Sequence, residues 1–394
     1  MKLKITILSV FCMFINGVFA QWQQTVLNNK TIVSMTSKGS SIFVGTTSDG
    51  IFRSDDEAAS WTQINNGLTN YSVFGVWGMG SFGSFVYAGT ADGTFISSDN
   101  GNTWANTGNL IGVNAVYSFV FQNNDIYVGT GGNVYKSSDN AVTWNYAGNG
   151  IPSLSNTVRS LVGNGANLYA GSYNNGGVYV STDNAATWTS AGLSTYPIRA
   201  MGVNGNHLFA ATSDTIFYSA DNGTTWEARN NGISIFNRWT LCFTFDGNRV
   251  FTGKRGAGVY FSDDNGLNWI SAGNGLPAGS YVNKLLINGN YIYAGADYQQ
   301  GVWKRALSEF TGIEEAPLVS SDIYPNPAQE NLYVHSKTNS GKYVVTDIAG
   351  KELNVKILRQ SDTETSMDVS NLAPGIYFIL TEKSRAAAKF IVQH

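Results

Sequence analysis

Charge is scarce in this sequence. Of 394 residues, 24 are Lys or Arg and 27 are Asp or Glu, 13% in all, against about 25% in an ordinary soluble domain. A long charged helix or coiled coil would need far more Lys, Glu and Arg, so neither is expected. The formal charge of −3 supplies no basic surface for phosphates, and nucleic acid is not an expected partner. Cysteine is scarcer still, at two. Cys12 lies in the N-terminal apolar stretch. Cys242 lies in the apolar segment 239–243, where it reads as a buried inert thiol rather than a nucleophile. Histidine is limited to His207, His335 and His394, too scattered for a metal cluster or a Ser-His-Asp arrangement. No phosphate loop or cofactor box is present, because the Gly-rich segments lie in hairpins rather than before helices. No apolar run beyond the first twenty residues approaches the length of a membrane span.

What is abundant is Gly, at 44, together with 21 Phe, 20 Tyr and 10 Trp. A disordered chain would be poor in aromatics. The balance predicts many short strands joined by tight turns, in a chain long enough for two or three domains. Residues 1–20 read as a secretory signal: Lys2 and Lys4 lead, Ile5 to Phe14 form a short apolar stretch, and Val18 and Ala20 are small enough for cleavage before Gln21. Removal of Cys12 with this leader leaves no intramolecular disulfide, so stability must come from packing.

The middle of the chain repeats at about forty residues. One strand pattern recurs seven times: Ser41 to Thr46, Phe85 to Thr90, Asp125 to Thr130, Asn167 to Ser172, His207 to Thr212, Arg249 to Lys254 and Tyr291 to Ala296. Each copy is flanked by other apolar strands, with Gly, Asn and Asp between them, which predicts antiparallel hairpins. Six copies end in a second motif, clearest in Ser97-Ser-Asp99-Asn-Gly101-Asn-Thr103-Trp104 and repeated at 54–61, 137–144, 181–188, 219–226 and 262–269. Spaced at 38 to 44 residues, it resembles the Asp-box, or BNR, repeat of sialidase-like β-propellers. Ala58, Ala141 and Ala185 depart from its usual Gly, and Ser60 and Asn268 from its usual Thr. The expected role of Asp56, Asp99, Asp139, Asp183, Asp221 and Asp264 is to cap the turn between the third and fourth strands of a blade, rather than to bind calcium or to catalyse. The resemblance places the boxes on the side opposite any ligand.

The seventh copy has no box, and Arg305 stands where its Ser would begin. Trp22-Gln-Gln-Thr25 matches the Trp-led segment at the end of each box, as in Trp61-Thr-Gln-Ile64. The N-terminal segment is therefore expected to supply the missing fourth strand and close the ring. Six tryptophans end a box and Trp22 acts as a seventh. Trp303 falls in the aromatic column of the third strands with Phe52, Phe95, Tyr135, Tyr179, Phe217 and Tyr260. Trp77 and Trp239 remain outside these roles. The expected fold is all-β: a seven-bladed β-propeller over 21–308, a linker at 309–321, and a small immunoglobulin-like β-sandwich over 322–394.

That last module carries Ile323-Tyr-Pro-Asn-Pro-Ala328, Leu332-Tyr-Val334, Val344 to Lys351 and Leu372 to Phe378, with turns at Ala349-Gly350 and Pro374-Gly375 and a last strand from Ala388 to Val392. It resembles the type A sorting domain of the type IX secretion system; an immunoglobulin-like accessory domain would have the same fold. The resemblance implies passage through the periplasm to an outer-membrane translocon. The cargo is then released or attached at the cell surface, and whether the module is removed stays open.

Catalytic groups are sparse on the face opposite the boxes. Its acids are Asp49, Asp92, Asp214 and Asp297, and Asp49 and Asp92 precede Gly at hairpin tips, where Asp-Gly is a common turn pair. No Glu falls there, since Glu57 lies inside a box and Glu227 follows a box Trp. Arg199 follows Pro197-Ile198, the reverse of the sialidase signature, and the tandem-propeller xyloglucanases use two propellers where one is expected here. Registering the seven first strands places Val33, Phe74, Tyr117, Arg159, Arg199, Trp239 and Asn283 around the mouth of a central channel, with Arg238, Lys254 and Arg255 adding positive charge. Such a ring suits a carboxylate, a sulfate or a stacked sugar or peptide. The alternative is that the aromatics pack between blades and the arginines are solvated. The sequence therefore reads as an exported, non-catalytic, monomeric propeller that binds a glycan, peptide or surface partner. The rivals are a secreted carbohydrate-active enzyme and an assembly factor. No metal or cofactor is expected.

Overall fold

The computed structural model describes residues 21–69, 75–107, 110, 115–152, 157–174, 176–233, 239–310, 322–335, 343–347, 352–361, 364–381 and 387–393. The expected leader 1–20, Phe74, Arg238, the turn at Ala349-Gly350, His394 and most of the expected linker lie outside these residues. The chain divides into two units, one ending at Phe310 and one beginning at Thr311.

Strands of the first unit follow the repeat. The second strand of each copy, such as Ser41–Thr46, is buried along nearly its whole length, because it lies mid-sheet with a neighbouring sheet on each face. Its recurring Gly has a steric reason. A Cβ on Gly45 would lie 2.7 Å from the carbonyl oxygen of Val76, and one on Gly253 2.4 Å from that of Val282. Glycine lets one blade approach the backbone of the next.

The described residues of this unit form seven four-stranded antiparallel sheets. Their first strands are Ile32–Lys38, Gly78–Phe82, Val116–Gln122, Val158–Gly163, Ala200–Asn204, Thr240–Asp246 and Val282–Asn288. Each first strand neighbours those before and after it, and the seventh returns to the first. Six sheets are continuous in sequence. The seventh takes its outer strand from Gln23–Gln24, with Gln23 opposite Lys304 and Gln24 opposite Trp303.

The seam is fastened by the same device as the other blade junctions. The indole of Trp104 donates to the carbonyl of Ile64 in the preceding blade at 2.8 Å, that of Trp188 to Ala147 at 2.7 Å, and that of Trp22 to Ala272 at 2.7 Å. Arg305, in the place of a box serine, is buried. It also donates to the Ala272 carbonyl, at 3.3 Å, and lies 4.1 Å over the ring of Phe310. Phe310 in turn meets Phe251 edge-on at 4.8 Å and Trp22 at 6.3 Å. A buried arginine packed on aromatic rings thus replaces the box turn in the seventh blade.

The second unit is a sandwich of two four-stranded antiparallel sheets. One contains Asp322–Tyr324, Asn331–His335, Glu364–Asp368 and Lys356–Gln360; the other contains Glu352–Leu353, Tyr343–Thr346, Gly375–Thr381 and Ala387–Val392. Leu332, Val334 and Met367 of the first close on Val345, Ile379 and Phe390 of the second. The Tyr377 hydroxyl donates to the carbonyl of Ala373 at 2.7 Å and pins the Pro374-Gly375 turn.

Candidate functional site

The six box turns are locally satisfied. In the clearest, the Ser97 hydroxyl donates to one oxygen of Asp99 at 2.8 Å and accepts from the Gly101 amide at 2.7 Å. The amide and hydroxyl of Thr103 donate to the two oxygens of Asp99 at 2.9 and 2.7 Å. Ser60 and Asn268, where the motif departs from Thr, make the same pair of contacts to Asp56 and Asp264. The hydroxyl of the fourth-following residue, its amide and the box serine hold Asp56, Asp99, Asp139 and Asp183 at a pKa of about 2; Asp221 reaches about 2 with the Thr225 amide as its leading donor. In Asp264 partial burial pulls the other way, and the bonds from Asn268 and Ser262 outweigh it. Carboxylates engaged in this way are turn caps.

In an antiparallel blade, the turn between strands three and four and the start of strand one lie at opposite ends. The face opposite the boxes is therefore the mouth of the ring. There the first strands carry a β-bulge. The register slips between Ile32 and Ser34, Val116 and Ser118, Val158 and Ser160, Thr240 and Cys242, and Val282 and Lys284. Each slip leaves one residue unpaired and re-aims its side chain: Val33, Tyr117, Arg159, Leu241 and Asn283. In the other two blades Trp77 and Arg199 hold this position, their amides bonded to the carbonyls of Gly89 and Ala211 at 2.9 and 2.8 Å. These seven residues line a cavity of about 230 Å³ together with Thr31, Thr47, Lys284 and Asp297.

Two positions of this collar differ from the expected register. Phe74 lies outside the described residues, and Trp77 takes the position of its blade. Trp239 gives way to Leu241, because Thr240 rather than an earlier residue pairs with Lys254 at the end of the second strand. Trp239 instead joins a ladder that the linear pattern did not reveal. Trp77 meets Tyr117 edge-on at 6.5 Å. Arg159 lies 5.6 Å over Tyr117 and 4.6 Å over Tyr173. Arg199 lies 5.1 Å over Tyr173 and 4.1 Å over Trp239. Arg255 lies 4.1 Å over Trp239 and 5.1 Å over Tyr281, which meets Tyr298 at 4.8 Å. Each such contact is worth about 0.5–1 kcal/mol when exposed. Stacking occupies the guanidinium faces and leaves their N–H edges for hydrogen bonds. Arg199 uses Nε to donate to Ser213 at 3.1 Å. Among the described residues, none of the three arginines makes an ion pair. Asn283 is committed inward, donating to the carbonyl of Ile32 at 2.9 Å.

Below the collar the residues following the bulges form a second layer: Ser34, Gly78, Ser118, Ser160, Ala200, Cys242 and Lys284. Beneath them Met35, Met79, Phe119, Leu161, Met201, Phe243 and Leu285 make an apolar floor, the whole enclosing about 200 Å³. Burial pushes the Cys242 thiol up to about 11, as suits an inert core group. Burial also pulls the Lys284 ammonium below the ordinary lysine value. The signal for Lys284 was in the sequence, as the one long cation in a column of small residues.

The acids of this face are engaged by nearby groups, Asp92 accepting from the Thr69 hydroxyl of the preceding connection at 3.5 Å. Asp49 pairs with Lys30 at 2.6 Å, Asp214 accepts from Thr212 at 2.9 Å, and Asp297 accepts from the Tyr298 amide at 2.7 Å. Lys254 is buried in its blade, donating to Thr240 at 2.7 Å. Among the described residues no group of three or more His, Cys, Asp or Glu is placed to hold a metal ion.

Residues 322–393 match the secretion system C-terminal sorting domain, and residues 96–197 and 117–238 match the DUF6242 beta propeller domain. No curated protein matches the sequence. Among solved structures, YCF48 bound to a D1 peptide aligns at 15% identity and a TM-score of 0.59, over 73% of this chain and 97% of that one. PorZ of Porphyromonas gingivalis, described as an essential surface component of the type-IX secretion system, aligns at 15% identity and a TM-score of 0.55, over 93% and 60%. A GH74 enzyme of Niastella koreensis aligns at 17% identity and a TM-score of 0.52, over 91% and 65%. At these identities the likeness is one of fold. The chain is a β-propeller protein with a type IX sorting domain, which places it at the cell surface or outside the cell.

Proposed function

We propose that this protein is an exported, non-catalytic recognition propeller that holds anionic groups of a glycan, peptide or surface partner on the arginine–aromatic ladder of its mouth. The observation that carries the reading is the state of Arg159, Arg199 and Arg255. Each is stacked on aromatic faces, and none has a carboxylate partner among the described residues. Pre-stacked guanidinium groups lose little freedom on meeting a carboxylate or sulfate, which favours binding. Exposed rings at the two ends of the ladder, Trp77 at 37% and Tyr298 at 62%, suit stacking on sugars or peptide side chains.

The fold likeness to GH74 enzymes supports the rival of glycoside hydrolysis, and the likeness to PorZ supports a part in a surface assembly. Hydrolysis needs two carboxylates about 5–9.5 Å apart across the scissile bond. Asp49, an acid of this face, is engaged by Lys30. A panel of neutral and acidic polysaccharides and acidic peptides tests the reading. Binding without turnover, weakened at least tenfold by joint Arg159→Ala and Arg199→Ala replacement, is the expected result. Turnover of any polysaccharide, or binding that survives the double replacement, overturns it.

A further inference from the structure

Lys284 is the odd member of the shaft. Six blades place a small side chain directly below the collar, and the seventh places a lysine there. It is also the one member of that layer that reaches up to line the mouth cavity. It is half-buried in the shaft, and the surrounding protein partly desolvates its ammonium. Its ammonium has no hydrogen-bond or ion-pair partner among the described residues. Drawing an unpaired ammonium even partly out of water is unfavourable, and a neutral side chain of the same length would fill the space without that penalty. Its surroundings do not offset the charge: Cys242 beside it is a protonated thiol, and the floor of Met35, Met79 and Met201 is apolar.

Arg159 and Arg199 stand above Lys284 on the same cavity walls. Among the described residues three cations therefore line this mouth and shaft, with one acid, Asp297, beside them. Below Lys284 the lining turns to methionine, leucine and phenylalanine, which offer a charged group no further partner, so the shaft suits the end of a ligand better than the middle of a charged chain. The rest of such a ligand leaves past Val33, Leu241, Tyr117 and Trp77, an apolar and aromatic collar.

We infer that the central shaft is an end-group site, in which Lys284 receives the terminal carboxylate of a ligand beneath Arg159 and Arg199. The inference rests on the recognition reading of the mouth and names the chemistry that enters it. A carboxylate matches the ammonium one for one. Its two sources, a free organic acid and the C-terminus of a peptide, share that chemistry.

The test uses the full chain and two sets of probes. The first is benzoate and acetate, followed by calorimetry. The second is a pentapeptide library in two forms, one with a free C-terminal carboxylate and one with a C-terminal amide. Lys284→Met is the principal variant and Lys284→Gln the second, each checked by thermal unfolding. The expected result is binding of at least one free-carboxylate probe, weakened tenfold or more in both variants, with a midpoint of unfolding no lower than that of the parent. Binding of benzoate or acetate alone assigns a free acid. Binding of the free-carboxylate library and not its amide assigns a chain terminus. Equal binding by the parent and Lys284→Met, equal binding of the acid and amide libraries, or no binding of any carboxylate probe overturns the inference. The recognition reading fails separately: Arg159→Ala with Arg199→Ala weakens panel binding at least tenfold if that reading holds, whatever Lys284→Met does.

Discussion

Box turns and mouth collar both recur around one ring, and they treat charge in opposite ways. On the box face each aspartate collects a serine hydroxyl, an amide and a hydroxyl or amide side chain from within eight residues of its own sequence. On the mouth face Arg159, Arg199 and Arg255 come from different blades and stack on rings, without an acid partner among the described residues. Local satisfaction can be copied with the repeat, because each copy carries its own partners. A binding surface needs the copies to differ, and the bulge position provides the difference: it places Val, Trp, Tyr, Arg, Arg, Leu and Asn at seven equivalent points.

Substitutions on the box side should therefore change stability and leave binding alone. The largest expected effect is Trp104→Ala. Trp104 is 4% exposed and bridges to the preceding blade through Ile64, so truncation should cost about 3–5 kcal/mol. Denaturant unfolding reads this. At temperatures where the variant stays folded, its affinity for any mouth ligand should match the parent. A matching loss of affinity would show that the two faces are coupled.

Arg159→Ala makes the converse change. It removes two exposed stacking contacts, a loss of about 1–2 kcal/mol at most. Binding of an anionic panel ligand should fall about tenfold, in line with the loss of one charge-assisted contact of about 1.4 kcal/mol. Arg159→Lys keeps the charge and loses the planar stack. Partial rescue by lysine would assign the effect to charge, and no rescue would assign it to geometry.

Acid sharpens the contrast further. Box carboxylates such as Asp99 titrate near 2 when folded, against an ordinary value of 3.8. Stability from a lowered carboxylate pKa is fully present above the unfolded value and is lost as pH falls from there through about 2. Unfolding midpoints should hold down to about pH 5 and then drop. Asp99→Asn should make that drop shallower, because one lowered group no longer takes part. A drop as steep in the variant as in the parent would show that other carboxylates drive acid unfolding.

The two faces also differ in how far they could be read from sequence. Box residues announce themselves because donor and acceptor lie within four residues of each other, so Ser54 and Asp56 or Asp139 and Thr143 appear together in one stretch. The seam was legible for a similar reason: Trp22 and the residues after it copy the Trp-led end of a box. The mouth was legible only in part. Tyr117, Arg159, Arg199 and Asn283 fell in register, but the residues of the second and sixth blades did not. Alignment on apolar residues put Phe74 and Trp239 where hydrogen bonding to the second strand puts Trp77 and Leu241. Tyr173, Arg255 and Tyr281 were missed as ladder members because they meet the collar across blades, and stacking between distant residues leaves no period in sequence.

The smallest expected effect lies within the box face itself. Three boxes carry Ala at a position with positive φ: 68° at Ala58, 71° at Ala141 and 65° at Ala185. An alanine held there costs about 1–2 kcal/mol, yet all three methyls are buried against a neighbouring blade. Ala141→Gly would relieve the strain. It would also lose a buried methyl of about 0.8 kcal/mol and free the unfolded chain by about 0.4–1 kcal/mol. These contributions nearly cancel, so the expected change is within about 0.5 kcal/mol. The reverse replacement is not symmetric. A Cβ on Gly101 would stand 2.5 Å from Cδ1 of Ile64, whereas one on Gly223 would meet Ala191 and Leu208 at 3.3 and 3.5 Å. Both substitutions incur the left-handed strain, but only Gly101→Ala adds a collision, so it should unfold at lower denaturant than Gly223→Ala. Equal losses would mean that Ile64 turns aside freely, and that the choice of Gly or Ala in each box is indifferent to the blade beside it.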